Sequence, residues 1–120
     1  LFAIAETPAD IRSALDAQAR RASSAFTAFS AERGQRFFTA KHGGDWSCAT
    51  CHTPDPLATG RHASTGKGIA PLAPAANPER FTDAAKVEKW FRRNCNDVLA
   101  RECSPAEKGD IVAYLLTLKK

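Results

Sequence analysis

Cys48-Ala49-Thr50-Cys51-His52 is the stretch whose residue types and spacing specify chemistry. Two thiols separated by two residues can add to the two vinyl groups of one porphyrin. A histidine placed at once after them then sits under the iron, so the run reads as a c-type haem attachment site. Neutral His52 imidazole would be the proximal ligand. A redox dithiol of thioredoxin type needs no histidine there and belongs near a βαβ pattern that this chain lacks. Zinc needs four ligands at workable spacing, and the remaining pair, Cys95 and Cys103, resembles no second knuckle. The cysteines therefore divide into two jobs, Cys48 and Cys51 for one haem c and Cys95 with Cys103 for a disulfide.

The elements that must position this motif come from a chain of 120 residues with a net charge of +4 and no methionine. That length makes one small domain with a modest core of its own, to which a covalently held macrocycle adds an apolar centre. No Lys/Arg run exceeds a pair and no aromatic platform alternates with basic residues, which argues against a nucleic-acid partner. No stretch has the apolar length of a membrane span. The absent initiator fits a processed start, and the cysteine usage suits an export compartment, most simply the bacterial periplasm after signal-peptide removal.

Helical signals dominate, and the expected class is all-α. Thr7 and Pro8 open a first helix whose apolar stripe reads Ile11, Leu15, Ala19, Ala22, Phe26 and Phe29. A second helix is expected from about Ala31 to Lys41, with Gly34 permitting close approach by another helix. From Thr53 to Pro78 the chain is rich in proline and glycine, which forbids long helix or strand. Such a passage needs something to wrap, and Ile69, Leu72 and the prolines can pack on the edge of a macrocycle. Thr82-Asp83 opens a third helix carrying Val87, Trp90, Phe91, Asn94, Cys95 and Val98. Ser104-Pro105-Ala106-Glu107 is a capping box that starts the last one, with Ile111, Tyr114, Leu115 and Leu118 on one face.

This order of helix, haem motif, wrapping loop, helix and C-terminal helix resembles a class I cytochrome c. Gly34 and Phe38 against Tyr114 and Leu115 match the crossing of helices in that family, and the first helix is then an extension over 1–30. The resemblance implies that the carbonyl of Pro71 accepts the Nδ1 proton of His52. It also exposes a gap, because a class I carrier places a methionine sulfur on the far side of the iron. The residues leave His42, His62, an asparagine, a lysine or an open position. His42 lies on the proximal approach, and His62 sits in the wrapping loop. On a helical wheel Asn94 falls about 20° from the centre of its stripe and should face inward beside Trp90 and Phe91. A buried amide bonded to backbone is the competing account of Asn94.

Lys86 to Cys95, Arg101-Glu102-Cys103, Thr65-Gly66-Lys67 and Ile69 to Leu72 are similar to the sphaeroides haem protein family, from roughly Ser30 onward. That family consists of high-spin monohaem cytochromes c with an asparagine as sixth ligand. The resemblance implies Asn94 as that ligand, Cys95–Cys103 as the disulfide, and Pro71, Leu72, Trp90 and Phe91 around the haem. It further implies release of Asn94 on reduction, binding of a small diatomic (O2, NO or CO), and a dihaem or other c-type cytochrome as electron donor. An amide oxygen is a hard, weak-field donor, tolerable on ferric iron and poor on ferrous iron.

Two other classes compete. A low-spin shuttle would use His62 or Lys67 on the iron and bind no ligand. An enzyme would perform NO dioxygenation or peroxide reduction at the same haem, although the residues place no acid/base pair. Lys41, Lys67, Lys86, Lys89 and Lys108 could ring an exposed haem edge and steer an acidic partner, with scattered solubilising lysines as the plainer reading.

Overall fold

The computed structural model describes residues 6–120. Along them run the helices α1 (Pro8–Ala22), α2 (Ala31–Thr39) and α3 (Cys48–His52), the strands β1 (Gly60–Arg61) and β2 (Gly68–Ile69), then α4 (Ala84–Leu99) and α5 (Pro105–Thr117). The architecture is all-α apart from the two-residue strands. Of the expected N-terminal extension, residues 1–5 lie outside the described range.

Local chemistry starts each helix. Thr7 and Asp10 exchange side-chain bonds with each other's amides at the head of α1, as Ser104 and Glu107 do at the head of α5. Each pair satisfies amides that a helix start leaves without partners. Ser47 caps α3 in the same reciprocal way, while Ser30 and Asp83 cap α2 and α4 by accepting from the amides of Arg33 and Lys86. Proline stands at the first turn of α1 and of α5, where its missing N–H is no loss.

The centre of the fold is α5 lying against α1 and α2. Ile11, Leu15 and Ala19 of α1 are buried, with Ile111, Val112, Tyr114 and Leu115 of α5. The expected crossing of α2 and α5 is present. A Cβ on Gly34 would overlap the Asp110 carbonyl, so the two backbones touch there and only glycine fits. Phe38 is fully buried, and its ring centroid lies 5.8 Å from that of Tyr114.

Helix α1 is shorter than its apolar stripe suggested. It stops at Ala22, where Ser23 turns the chain and its hydroxyl accepts from the Ala25 amide. A serine pair competes for its own backbone, and this local bonding wins over a stripe that would carry the helix on. Phe26 and Phe29 instead stack in the connection, 5.1 Å between centroids, and Phe29 fills the space above Gly109. Helix α2 likewise ends at Thr39, two residues before the expected Lys41.

The proline-rich passage folds upon itself, as its composition requires. The amides of Leu72 and Ala73 both donate to the carbonyl of the buried Pro56. Strands β1 and β2 pair antiparallel, Gly60 with Ile69 and Arg61 with Gly68.

Among the described residues three bonds tie helix α4 to the remainder. Its first amide, at Ala84, donates to Glu6 Oε1 at 2.9 Å. Lys108 of α5 bonds Glu88 at 3.1 Å, and the expected disulfide joins Cys95 to Cys103. Val87 and Phe91 pack against the central apolar cluster between these points.

Candidate functional site

Helix α3 is little more than one turn, and a reciprocal cap between Ser47 and Thr50 holds it. Positions three apart on a turn share a face, so Cys48 and Cys51 project together. Both are free thiols, half-buried and not bridged to one another. Burial pushes the Cys48 thiol up to about 11, which keeps it protonated at neutral pH. Strand β1 lies flush on this turn, because a Cβ on Gly60 would overlap the Cys51 carbonyl. Thr53, at φ 62°, then turns the chain sharply away from His52.

His52 lies 6.3 Å from the Phe38 ring, centroid to centroid. Burial first, and then the positive charge of Arg80, bring its pKa down to about 4. The imidazole is thus neutral at physiological pH, the form that binds a metal. Arg80 escaped the sequence reading, since a single arginine in a loop gives no signal of its destination. It donates from Nε to the Pro71 carbonyl at 3.0 Å and from Nη2 to the Ala70 carbonyl at 2.9 Å. Asn77 Nδ2 also donates to Pro71, at 3.3 Å. The carbonyl expected to receive His52 Nδ1 therefore accepts from Arg80 and Asn77, and among the described residues none of its bonds comes from His52. A carbonyl has two lone pairs, and both have donors here.

The other expected ligands separate clearly. His42 turns back to the end of α2, its Nε2 2.9 Å from the Phe37 carbonyl. His62 Nδ1 accepts from the amides of Ser64 and Thr65 at 3.2 and 3.3 Å, forming the turn between β1 and β2. Lys67 is exposed on the same turn.

Asn94 is exposed, and no side-chain hydrogen bond joins it to another described residue. Among the described residues of α4 the buried one is its neighbour Cys95, bridged to Cys103. Trp90, one turn before Asn94, is 46% exposed between Lys89 and Arg93, whose cationic groups lie 5.6 and 5.3 Å from its ring. Leu72 and Phe91 are half-buried against the central cluster. Lys108 does not belong to an exposed lysine ring, since its side chain is only 13% exposed and paired with Glu88.

The donor set fits a covalently attached haem. It offers two free thiols on one turn and a neutral imidazole beside them. Among the described residues no cluster of three or more His, Cys, Asp or Glu side chains could hold a separate metal ion, and no helix is long and apolar enough to cross a membrane.

Comparison with known proteins agrees with this chemistry. Residues 24–115 match a family model described as a domain of unknown function, DUF1924. The cytochrome c-type protein SHP of Cereibacter sphaeroides is 52% identical over 89 residues, covering 71% of this chain and 68% of that protein. Cytochrome c'' of Methylophilus methylotrophus is 49% identical over 85 residues, 71% of this chain and 59% of its own length. A solved structure of oxidised SHP, described as an oxygen-binding cytochrome c, superposes with a TM-score of 0.83 at 43% identity over 94% of this chain and 98% of that one. A solution structure of cytochrome c'', described in connection with haem-ligand detachment, gives 0.82 at 41% identity, covering 94% of each chain. The chain thus belongs to the DUF1924 family and, with SHP and cytochrome c'', to the sphaeroides haem protein family of c-type cytochromes, with haem c attached at Cys48 and Cys51.

Proposed function

We propose that this cytochrome is a redox-linked receptor for a small diatomic molecule, with His52 as permanent axial ligand and Asn94 as a labile one. Haem c supplies a one-electron couple and a sixth coordination position. The residues do the rest. His52, kept neutral by burial and Arg80, is a ligand that need not lose a proton first. Asn94 offers an amide oxygen, a donor that suits ferric iron and is poor for ferrous iron, so it yields when an electron arrives. O2, NO or CO then competes for the position that Asn94 leaves.

The observation that carries this reading is the state of Asn94. It makes no side-chain hydrogen bond to a described residue, in a chain without methionine, while His42 and His62 are bonded within their own segments. The descriptions of SHP as oxygen-binding and of cytochrome c'' as undergoing haem-ligand detachment support it. The electron donor in this proposal is a dihaem or other c-type cytochrome. The compartment is the periplasm, consistent with a structural disulfide.

The test is an optical titration of the holoprotein from ferric to ferrous, with and without CO. High-spin ferric bands and a CO adduct on reduction are expected. Asn94→Ala should retain haem yet change the ferric spectrum, whereas His62→Ala should leave it unchanged. A low-spin ferric spectrum that His62→Ala abolishes would assign the sixth position to His62 instead.

A further inference from the structure

We infer that the Lys108–Glu88 ion pair is a positioning latch that sets the roll of α4 and thereby controls how firmly Asn94 is presented; this rests on the reading of Asn94 as the sixth ligand. Glu88 and Cys95 are seven residues apart, roughly two turns, and lie on one stripe of the helix with Ala84 and Phe91. Each residue of that stripe has a partner: Ala84 with Glu6, Glu88 with Lys108, Cys95 with Cys103, and Phe91 with the apolar cluster. Asn94 falls about 90° round the helix from the middle of that stripe. Its direction is therefore fixed by the stripe rather than by any contact of its own.

A disulfide alone fixes one point, about which a helix can still pivot and roll. A second point two turns away restricts that freedom, beside the Ala84–Glu6 bond and the packing of Phe91, and Lys108 supplies it from the rigid central helix. Its side chain is 13% exposed, its Nζ is 3.1 Å from Glu88 Oε2, and the same group lies 5.9 Å from the Phe91 ring centroid. Of these fixed points the bridge is covalent, whereas the ion pair has its Glu88 side chain 42% exposed and can open reversibly. While it is closed Asn94 is held toward one direction; when it opens, α4 rolls and the amide swings aside.

The test titrates ferric holoprotein with imidazole, a probe that must displace Asn94 to bind. Lys108→Met keeps the length of the side chain and removes its charge, and should raise imidazole affinity about five-fold, the scale of one partly exposed pair. Glu88→Gln, at a more open position, should do the same without altering the interior. The reversed pair Glu88→Lys with Lys108→Glu should return the affinity to within about two-fold of the parent, and Lys108→Met should have no further effect once Asn94 is alanine. Native affinity in both single variants, while Asn94→Ala binds imidazole more tightly, overturns the latch alone. Failure of the reversed pair to restore affinity also overturns it, in favour of an effect of overall charge. Asn94→Ala binding no more tightly than the parent overturns the ligand assignment beneath it.

Discussion

Arg33 of α2 grips both carboxylate oxygens of Asp110 on α5, Nε to Oδ2 at 2.9 Å and Nη2 to Oδ1 at 3.1 Å. The amide of Ser30, where α2 begins, donates to the same carboxylate at 2.8 Å. Asp110 thus places negative charge at the positive end of a neighbouring helix and ties it to the central one. Its side chain is 10% exposed, and the guanidinium partner is half in water. Asp110→Ala should cost about 2 kcal/mol, because it strands a partly buried amide and loosens the guanidinium. Chemical denaturation of the holoprotein measures this; an unchanged midpoint would mean that water replaces the carboxylate freely.

Gly34 sits where the α2 backbone meets the Asp110 carbonyl. Gly34→Ala must push the two helices apart, with an overpacking cost of about 1–3 kcal/mol. Gly44→Ala makes the matched control, since its new Cβ would lie 3.8 Å from the nearest heavy atom, the Val98 carbonyl oxygen, and its effect should stay within about 0.5 kcal/mol. Equal thermal midpoints for the two variants would contradict the close crossing.

The bridge between Cys95 and Cys103 closes a short loop, with a sequence separation of 8. On the chain-entropy model such a closure stabilises by about 2.5 kcal/mol. Cys103→Ser should lower stability by that order and speed imidazole binding to the ferric protein, where Asn94 still competes, because α4 loses its covalent point beside Asn94. Destabilisation with unaltered ligand kinetics would separate the bridge from the site.

Arg101 bonds both oxygens of Glu107, at 2.8 and 2.9 Å, while Glu107 also caps α5 through the Ser104 amide. The Arg101 hydrogen bonds, chiefly, hold the Glu107 carboxyl below its ordinary value of 4.5. A carboxylate whose pKa is depressed in the folded state contributes stability above 4.5, and that contribution disappears as pH falls through the folded value. Arg101→Ala should therefore raise the pH of acid unfolding and lower stability near neutrality. An acid transition at the same pH in both proteins would show that the pair does not report on folding.

What could be read without coordinates was local. The spacing of Cys48, Cys51 and His52, the caps at Thr7 and Ser104, and the pairing left to Cys95 and Cys103 each depend on residues a few positions apart. The crossing of Gly34 and Phe38 with Tyr114 was legible through a family pattern. Phe26 and Phe29 misled, because their helical spacing says nothing about the serine pair that ends α1 before reaching them.

The linear chain by itself determined the chemistry of attachment, the all-helical class and the absence of a methionine ligand, since these follow from residue type and short-range spacing. Tertiary structure alone decided where Asp110, Arg80 and Lys108 act, because their partners lie 77, 9 and 20 positions away and a charge carries no sign of its destination. It also decided that Cys95 is the buried residue of α4. The bridge to Cys103 holds that residue inward, and the partner that does so lies beyond the end of the helix, at a sequence separation of 8.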